Sequence, residues 1–496
     1  MTAAAPNPAA AAPGAAAPGT APPASPASGG AKVLFAFENP LPSRQADAEV
    51  FVSTARHLAP LLRQAWLHVP LPATDEARAA AEALAGMPVV RARAPLRPAA
   101  LRHLCCGLGL PFRRAFREAD LVYTRNLWIA FVAILCGQRV AFDHYRPWAA
   151  QVPPLQPLIA RLLAHPRFLV NVCHSDYTRE RYLALGLAPA KLVRVRNGFD
   201  PARFRARPPV EAAKRALDLD PARRTVVYTG RLNHRKGLAL VVEAARLRTD
   251  HLFLLVGSVG EGPVEALAAA VPNVRVVGWQ EPDALAAWIL AADVLLVPPS
   301  WKPLAEFGST VLPLKLFLYL AAGRAIVAGD TPDVREVLRH GDNALLCRPD
   351  DAPALSDALD ALARDPALAE RLATQALADS RDLTWTARAR TIAALLAARL
   401  AAPPPPAPGW GRAQSLAWRR GSGLWLRHLL RTRSWVLPPA LPAAPQPLAP
   451  QPPAPQPVVP QPVAPQPVAA PPDAPPPDAP PPAAPAPRAA APAPAP

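Results

Sequence analysis

Of 496 residues only five are cysteine (Cys105, Cys106, Cys136, Cys173 and Cys347), two are methionine and 6% are aromatic. An odd cysteine count without a Cys-x-x-Cys spacing excludes a disulfide scaffold and offers no zinc or redox motif, so a reduced, cytoplasmic protein is the simplest expectation. Long apolar runs are also lacking. The longest nearly uninterrupted one, Leu127 to Gly137, falls well short of the ~20 residues that span a bilayer and reads as a buried helix. The start of the chain, rich in Ala and Pro, has no basic region followed by an apolar one and does not read as a signal peptide. Carboxylates are few: 37 Asp and Glu stand against 54 Lys and Arg, a net charge of +17. That excess favours anionic partners (phosphates, acidic lipid or nucleic acid) without choosing among them.

Proline is abundant and unevenly spread. Of 69 prolines, 7 lie in residues 1–30 and 32 in residues 403–496, against 30 in the 372 residues between. Stretches of Ala, Pro and Gln cannot bury enough apolar surface to offset the entropy of ordering a backbone, so tails at 1–30 and 438–496 are expected to be disordered. The intervening length suits two domains, 31–200 and 201–402, followed by a basic segment, 403–437.

Lys32-Val-Leu-Phe-Ala-Phe37 reads as a buried strand, followed by a Pro-containing loop and a helical stretch from Ala48 to Leu62. Further strand-like runs stand at Leu121 to Tyr123, Arg139 to Phe142 and Leu169 to Val172. A second series begins at Thr225 to Tyr228 and continues through Leu252 to Val256, Val274 to Val277, Val294 to Val297 and Ala325 to Ala328. Strands alternating with helices predict α/β architecture: two doubly wound, Rossmann-like domains facing across a cleft, with ligands at the carboxyl ends of the strands.

The sharpest local signal is Tyr228-Thr-Gly-Arg-Leu-Asn-His-Arg-Lys-Gly237. A strand ends at Gly230, where the backbone can approach a ligand closely, and Arg231, Arg235 and Lys236 follow just before a helix N-terminus. Cations there form a diphosphate clamp; the alternative is a solvated basic turn. Asp218-Leu-Asp220 matches a metal-binding Asp-x-Asp spacing but closes a helical stretch before a strand, and no metal site or cofactor is expected. Gly257, Gly260 and Gly262 lack the Gly-x-Gly-x-x-Gly order of a dinucleotide fingerprint.

Residues 225–400 resemble the nucleotide-sugar domain of retaining glycosyltransferases of the GT-B fold, specifically glycosyltransferase family 4. Tyr228 to Gly237 resembles the family's Gly-Arg-Leu-x-x-x-Lys-Gly signature. Leu254 to Pro263, Asn273 to Gly278, Ala291 to Ser300 and Pro313 to Gly323 follow in the family's order. Asp120 to Arg125, Val140 to His144, Asn171 to Ser175 and Val193 to Asp200 match more loosely. The resemblance implies that Arg231 and Lys236 grip the diphosphate of a sugar nucleotide and stabilise the leaving group, with Gly230 and the glycine turn at Gly260 beside it. It implies that His144, ending a strand of the first half, hydrogen-bonds the donor sugar; a His in that place is otherwise a structural residue. Two glutamates of the family pattern fall at Thr310 and Leu318 and are absent. Glu306 is the nearby acid available to substitute, Lys315 is placed to reach phosphate, and the family's glycine pair after the first strand is missing from Pro40 to Glu49.

Gly409 to Leu437 holds six arginines, four tryptophans and no acid. Arg beside Trp suits an anionic membrane interface. The alternatives are a helix packed back on the N-terminal half or a basic linker, and Gly421 and Gly423 are expected to interrupt any long helix. The expected function is transfer of a sugar from a nucleoside diphosphate sugar to a glycan or lipid-linked acceptor. It is expected in the cytoplasm with a peripheral contact at the inner membrane face. The rivals are a catalytically weak relative that binds a glycan or partner without turnover, and a nucleic-acid binder, which rests on charge alone and is not adopted.

Overall fold

The computed structural model describes residues 30–438 except 44, 145–147, 261, 308–311 and 404–411. The expected disordered tails lie almost wholly outside the described residues.

Two parallel sheets carry the fold. The first contains β1 (Lys32–Ala36), β2 (Gln64–Pro70), β3 (Val89–Ala92), β4 (Leu121–Thr124), β5 (Val140–Asp143), β6 (Phe168–Cys173) and β7 (Leu192–Arg194), ordered β3-β2-β1-β4-β5-β6-β7. The second contains β8 (Arg224–Thr229), β9 (His251–Ser258), β10 (Val274–Gly278), β11 (Val294–Val297), β12 (Ala325–Gly329) and β13 (Leu345–Cys347), ordered β10-β9-β8-β11-β12-β13. The strand order reverses between β1 and β4 and between β8 and β11, and the crevice at such a switch point is where a doubly wound sheet receives ligands.

Alternation along each strand divides the apolar residues between two faces. Val33 and Phe35 of β1 join one core with Phe51 and Leu67, while Leu34 and Ala36 join another with Val122, Ile129 and Phe142. In the second sheet Val227, Leu254 and Leu295 face one core, and Val226, Tyr228, Phe253 and Leu296 the other. The apolar run starting at Leu127 is indeed a short helix, Leu127–Leu135, capped by Asn126, whose side chain accepts from Trp128 N at 2.9 Å. Among the described residues no helix is long and apolar enough to cross a membrane.

After the second sheet the chain returns to the first. Helix Trp385–Ala401 buries Ala389, Ile392 and Leu396 in the core that holds β1 and β2. The outgoing and returning segments are hydrogen-bonded to each other: Phe199 N donates to Leu383 O at 3.1 Å and Trp385 N to Phe199 O at 3.2 Å.

The basic segment corrects one expectation. Helix Arg412–Thr432 runs unbroken through Gly421 and Gly423. The glycine penalty of about 1 kcal/mol is overridden by packing: a Cβ at Gly421 would lie 3.0 Å from Pro153 Cβ. Beyond the helix, Leu437 N donates to Gln151 O at 2.9 Å. The segment thus packs back on the N-terminal half, with Trp418 and Trp425 half-buried while Leu416, Leu430, Arg419 and Arg420 face outward.

Candidate active site

The apolar strand β8 ends in a turn that only glycine accommodates easily. Gly230 has φ 128° and donates its N–H to Val256 O at 2.9 Å, and a Cβ there would come 3.2 Å from Lys315 Nζ. Gly257, at the end of β9, has φ 121°, and its Cβ would meet Gly230 O at 2.6 Å. These two positions let β8 and β9 finish in contact. Asn233 then accepts from Arg235 N at 3.1 Å, folding His234–Lys236 into a single turn that leads into helix Leu238–Leu247. Arg231 and Gly260 line one open cavity of about 400 Å³ together with Asn233, Arg235 and Glu265.

Lys315 joins this turn from helix Leu314–Ala322, far along the chain. Its Nζ lies 3.7 Å from the centroid of the Tyr228 ring, a cation–π contact. Burial, and after it the charge of Lys236, holds the Lys315 ammonium well below the ordinary lysine pKa. Tyr319 of the same helix ties it to β8: its hydroxyl accepts from Thr229 N at 2.8 Å, and burial pushes its pKa up to about 12. Tyr228 donates to Arg231 O at 3.3 Å. Gly230, Arg231, Lys236 and Lys315 are therefore neighbours at the carboxyl end of β8. Leu318 packs against the core of the second sheet; Thr310 and the Glu306 side chain lie outside the described residues. Asp218 and Asp220 precede β8, at the opposite end of that strand, where Asp220 accepts from Ala222 N at 2.9 Å.

In the first sheet His144 follows β5, buried, with its ring stacked on Phe142 at 5.2 Å. Its neighbour Asp143 is the centre of a network that the sequence does not reveal. The carboxylate accepts from Tyr123 Oη at 2.7 Å, from His174 Nε2 at 2.5 Å and from Arg388 Nη2 at 2.8 and 2.9 Å. Burial pushes the Asp143 pKa up, but the Arg388 guanidinium and then His174 outweigh it and hold the carboxyl well below the usual range. Burial lowers the pKa of His174 against the pull of Asp143. Arg388 also donates to Thr54 Oγ1 at 3.0 Å and Val195 O at 2.6 Å, so the returning helix braces the strand end that carries His144.

Two doubly wound sheets with a cationic turn at the switch point of the second define a GT-B architecture. Residues 223–365 match the family model Glycosyl transferases group 1. Among curated proteins, the chain is 28% identical over 235 residues to a phosphatidyl-myo-inositol mannosyltransferase of Mycobacterium leprae, covering 46% of this chain and 59% of that protein. It is 31% identical over 216 residues to the lipopolysaccharide core biosynthesis mannosyltransferase LpsB of Rhizobium meliloti, covering 40% and 58%. The matches thus span less than two thirds of these relatives' length. Among solved structures, HepE of Anabaena in complex with UDP and glucose superposes with a TM-score of 0.58 at 16% identity, over 74% of this chain and 99% of that one, a likeness of fold.

Proposed function

We propose that the protein transfers a sugar from a nucleoside diphosphate sugar to a glycan or lipid-linked acceptor, with retention of anomeric configuration. Residues 201–402 take the donor and residues 31–200 the acceptor. The observation that carries the reading is the approach of Lys315 to Gly230 at the switch point, with the charge of Lys236 beside it and Arg231 next in the chain, lining the adjoining cavity. As the bond from the sugar's anomeric carbon to the diphosphate breaks, the electron pair leaves with the nucleoside diphosphate. Fixed cations there stabilise the charge as it develops, without a bound metal. The acceptor hydroxyl oxygen forms the new bond to the anomeric carbon, and its proton passes to an oxygen of the departing diphosphate. His144, braced through Asp143, hydrogen-bonds the donor sugar, and Gly260, Glu306 and Lys315 contribute to donor binding.

UDP is the first donor fragment to test, because the Anabaena fold relative is complexed with it. Arg231→Ala and Lys236→Ala should each cost about 2–4 kcal/mol of transition-state stabilisation. The check is calorimetric binding of UDP and GDP, with donor consumption measured across a panel of sugar nucleotides. Undiminished turnover and affinity in both variants would refute the assignment, and the anomeric configuration of the product, read by NMR, tests retention.

A second reading rests on Leu318, which packs on the core where the resembled family carries an acid that binds ribose. It makes the protein a binder of donor or glycan without turnover. Nucleotide binding without donor consumption distinguishes it.

The helix Arg412–Thr432 supports a peripheral contact with anionic membrane. Leu416 and Leu430 are exposed beside Arg419 and Arg420, the arrangement of an interfacial helix.

A further inference from the structure

A second cavity, of about 700 Å³, lies between helix Arg412–Thr432, the segment Trp148–Gln151 and helix Asp176–Leu183. Its volume is in the range of small-molecule sites, roughly 300–1,000 Å³. Arg181, Arg427 and Arg431 line it together with His428, and no carboxylate stands among the described lining residues. Arg181 is held in place by Tyr177, with its guanidinium carbon 4.9 Å from the ring centroid. Arg427 and Arg431 are i,i+4 neighbours and so occupy one face of their helix. The remaining wall mixes the polar Gln151, Gln156 and Thr432 with the apolar Leu424, Leu437 and Pro153. Three arginines line the cavity with no carboxylate among its described lining residues, a surplus of positive charge that suits an anion. Arg is the side chain whose fork matches phosphate oxygens.

We infer that this cavity binds a lipid phosphate, a phosphoryl group carried on an apolar chain. The arginines hold the phosphoryl oxygens while Leu424 and Leu437 cover the first carbons of the chain. The site is assembled only because helix Arg412–Thr432 packs back on the N-terminal half. The site is separate from the cationic turn at Gly230 and does not depend on nucleotide binding there.

The test is calorimetric titration of the full chain with farnesyl phosphate below its aggregation threshold, beside inorganic phosphate and farnesol. Farnesyl phosphate should bind saturably with one site per chain, at least about tenfold more tightly than either control. Arg427→Ala, Arg431→Ala and Arg181→Ala should each weaken it about tenfold, the loss expected for a charged hydrogen bond. Arg246→Ala, exposed on helix Leu238–Leu247 of the second half and absent from the cavity wall, should leave binding unchanged. Arg181 sits on a different helix from the other two, and melting temperatures identify any variant that fails to fold. Equal binding of inorganic phosphate or farnesol, absence of saturable binding, or an equal loss from the Arg246 variant overturns the inference. UDP titration of the same samples keeps the two sites apart. Farnesyl phosphate binding without UDP binding refutes the reading of the second sheet alone, and the reverse refutes this site alone.

Discussion

Lys315→Met should act in opposite directions on the empty protein and on its nucleotide complex. The ammonium is partly buried, 3.7 Å from the Tyr228 ring centroid, with Lys236 as its neighbouring charge, and its pKa is depressed by burial first and Lys236 second. A lysine whose folded pKa lies below its unfolded value lowers stability in full below the folded pKa. That cost fades as pH rises from the folded to the unfolded value. Met has similar length and no charge, so the empty variant should be more stable by about 1–2 kcal/mol at mildly acid pH, with the advantage shrinking in alkali. A diphosphate reverses the sign because its oxygens pair with both ammonium groups. Losing one charged hydrogen bond costs about 1.5–3 kcal/mol, or about ten- to hundredfold in Kd. Binding to the wild type also restores the Lys315 pKa and takes up a proton, so at a pH between the depressed and the restored value the binding enthalpy must vary with the ionisation enthalpy of the buffer. Calorimetry of melting and of UDP binding reads all three effects. A variant that melts with the wild type and binds UDP equally well, or a wild-type enthalpy indifferent to buffer, refutes the reasoning.

Three further outcomes are expected. Leu318→Glu should restore a ribose contact and tighten donor binding; no gain in a folded variant, read by UDP titration, means that the pocket serves another ligand. Arg388→Met leaves the buried Asp143 carboxylate without its guanidinium and should cost about 3–5 kcal/mol in urea unfolding at neutral pH. The depressed Asp143 pKa contributes stability above the unfolded carboxyl pKa and loses it as pH falls toward the folded value, so the gap must narrow in acid. Leu416→Ser combined with Leu430→Ser should reduce co-sedimentation with anionic vesicles, and high salt should reduce it in the wild type; binding indifferent to lipid charge means that the arginines serve another partner.

The strands legible in the sequence are those with continuous apolar runs, such as Leu252 to Val256 inside β9 and Val294 to Val297, which is β11 itself. β2 escapes notice because Gln64, His68 and Pro70 break its pattern. Yet His68 is fully buried, its pKa lowered to about 4 by burial first, with Nε2 3.3 Å from Cys106 O. β7 and β13 are only three residues long, too short to show a period, and β3 is interrupted by the exposed Arg91. The turn from Gly230 to Gly237 is legible because its chemistry is contiguous. The link between Asp143 and Arg388 spans 245 positions and leaves no local signal. Gly421 misleads for a related reason: the constraint that favours glycine there is Pro153, distant in sequence.

The return of helix Trp385–Ala401 to the first sheet also sets an order of events during synthesis. Ala389, Ile392 and Leu396 complete a core begun by β1 and β2, and the ribosome delivers them after the whole second sheet. Between Val195, which ends the first passage, and Trp385 lie about 190 residues, some 10–40 s of elongation at the usual rates. Throughout that interval the N-terminal half presents an uncovered apolar face, and Asp143 waits buried or half-buried without the guanidinium that neutralises it. The second sheet, contiguous in the chain, can close first. The half that begins synthesis is therefore the half that finishes folding last, and a chain arrested before Thr384 exposes a sticky, charge-frustrated sheet to chaperones and proteases.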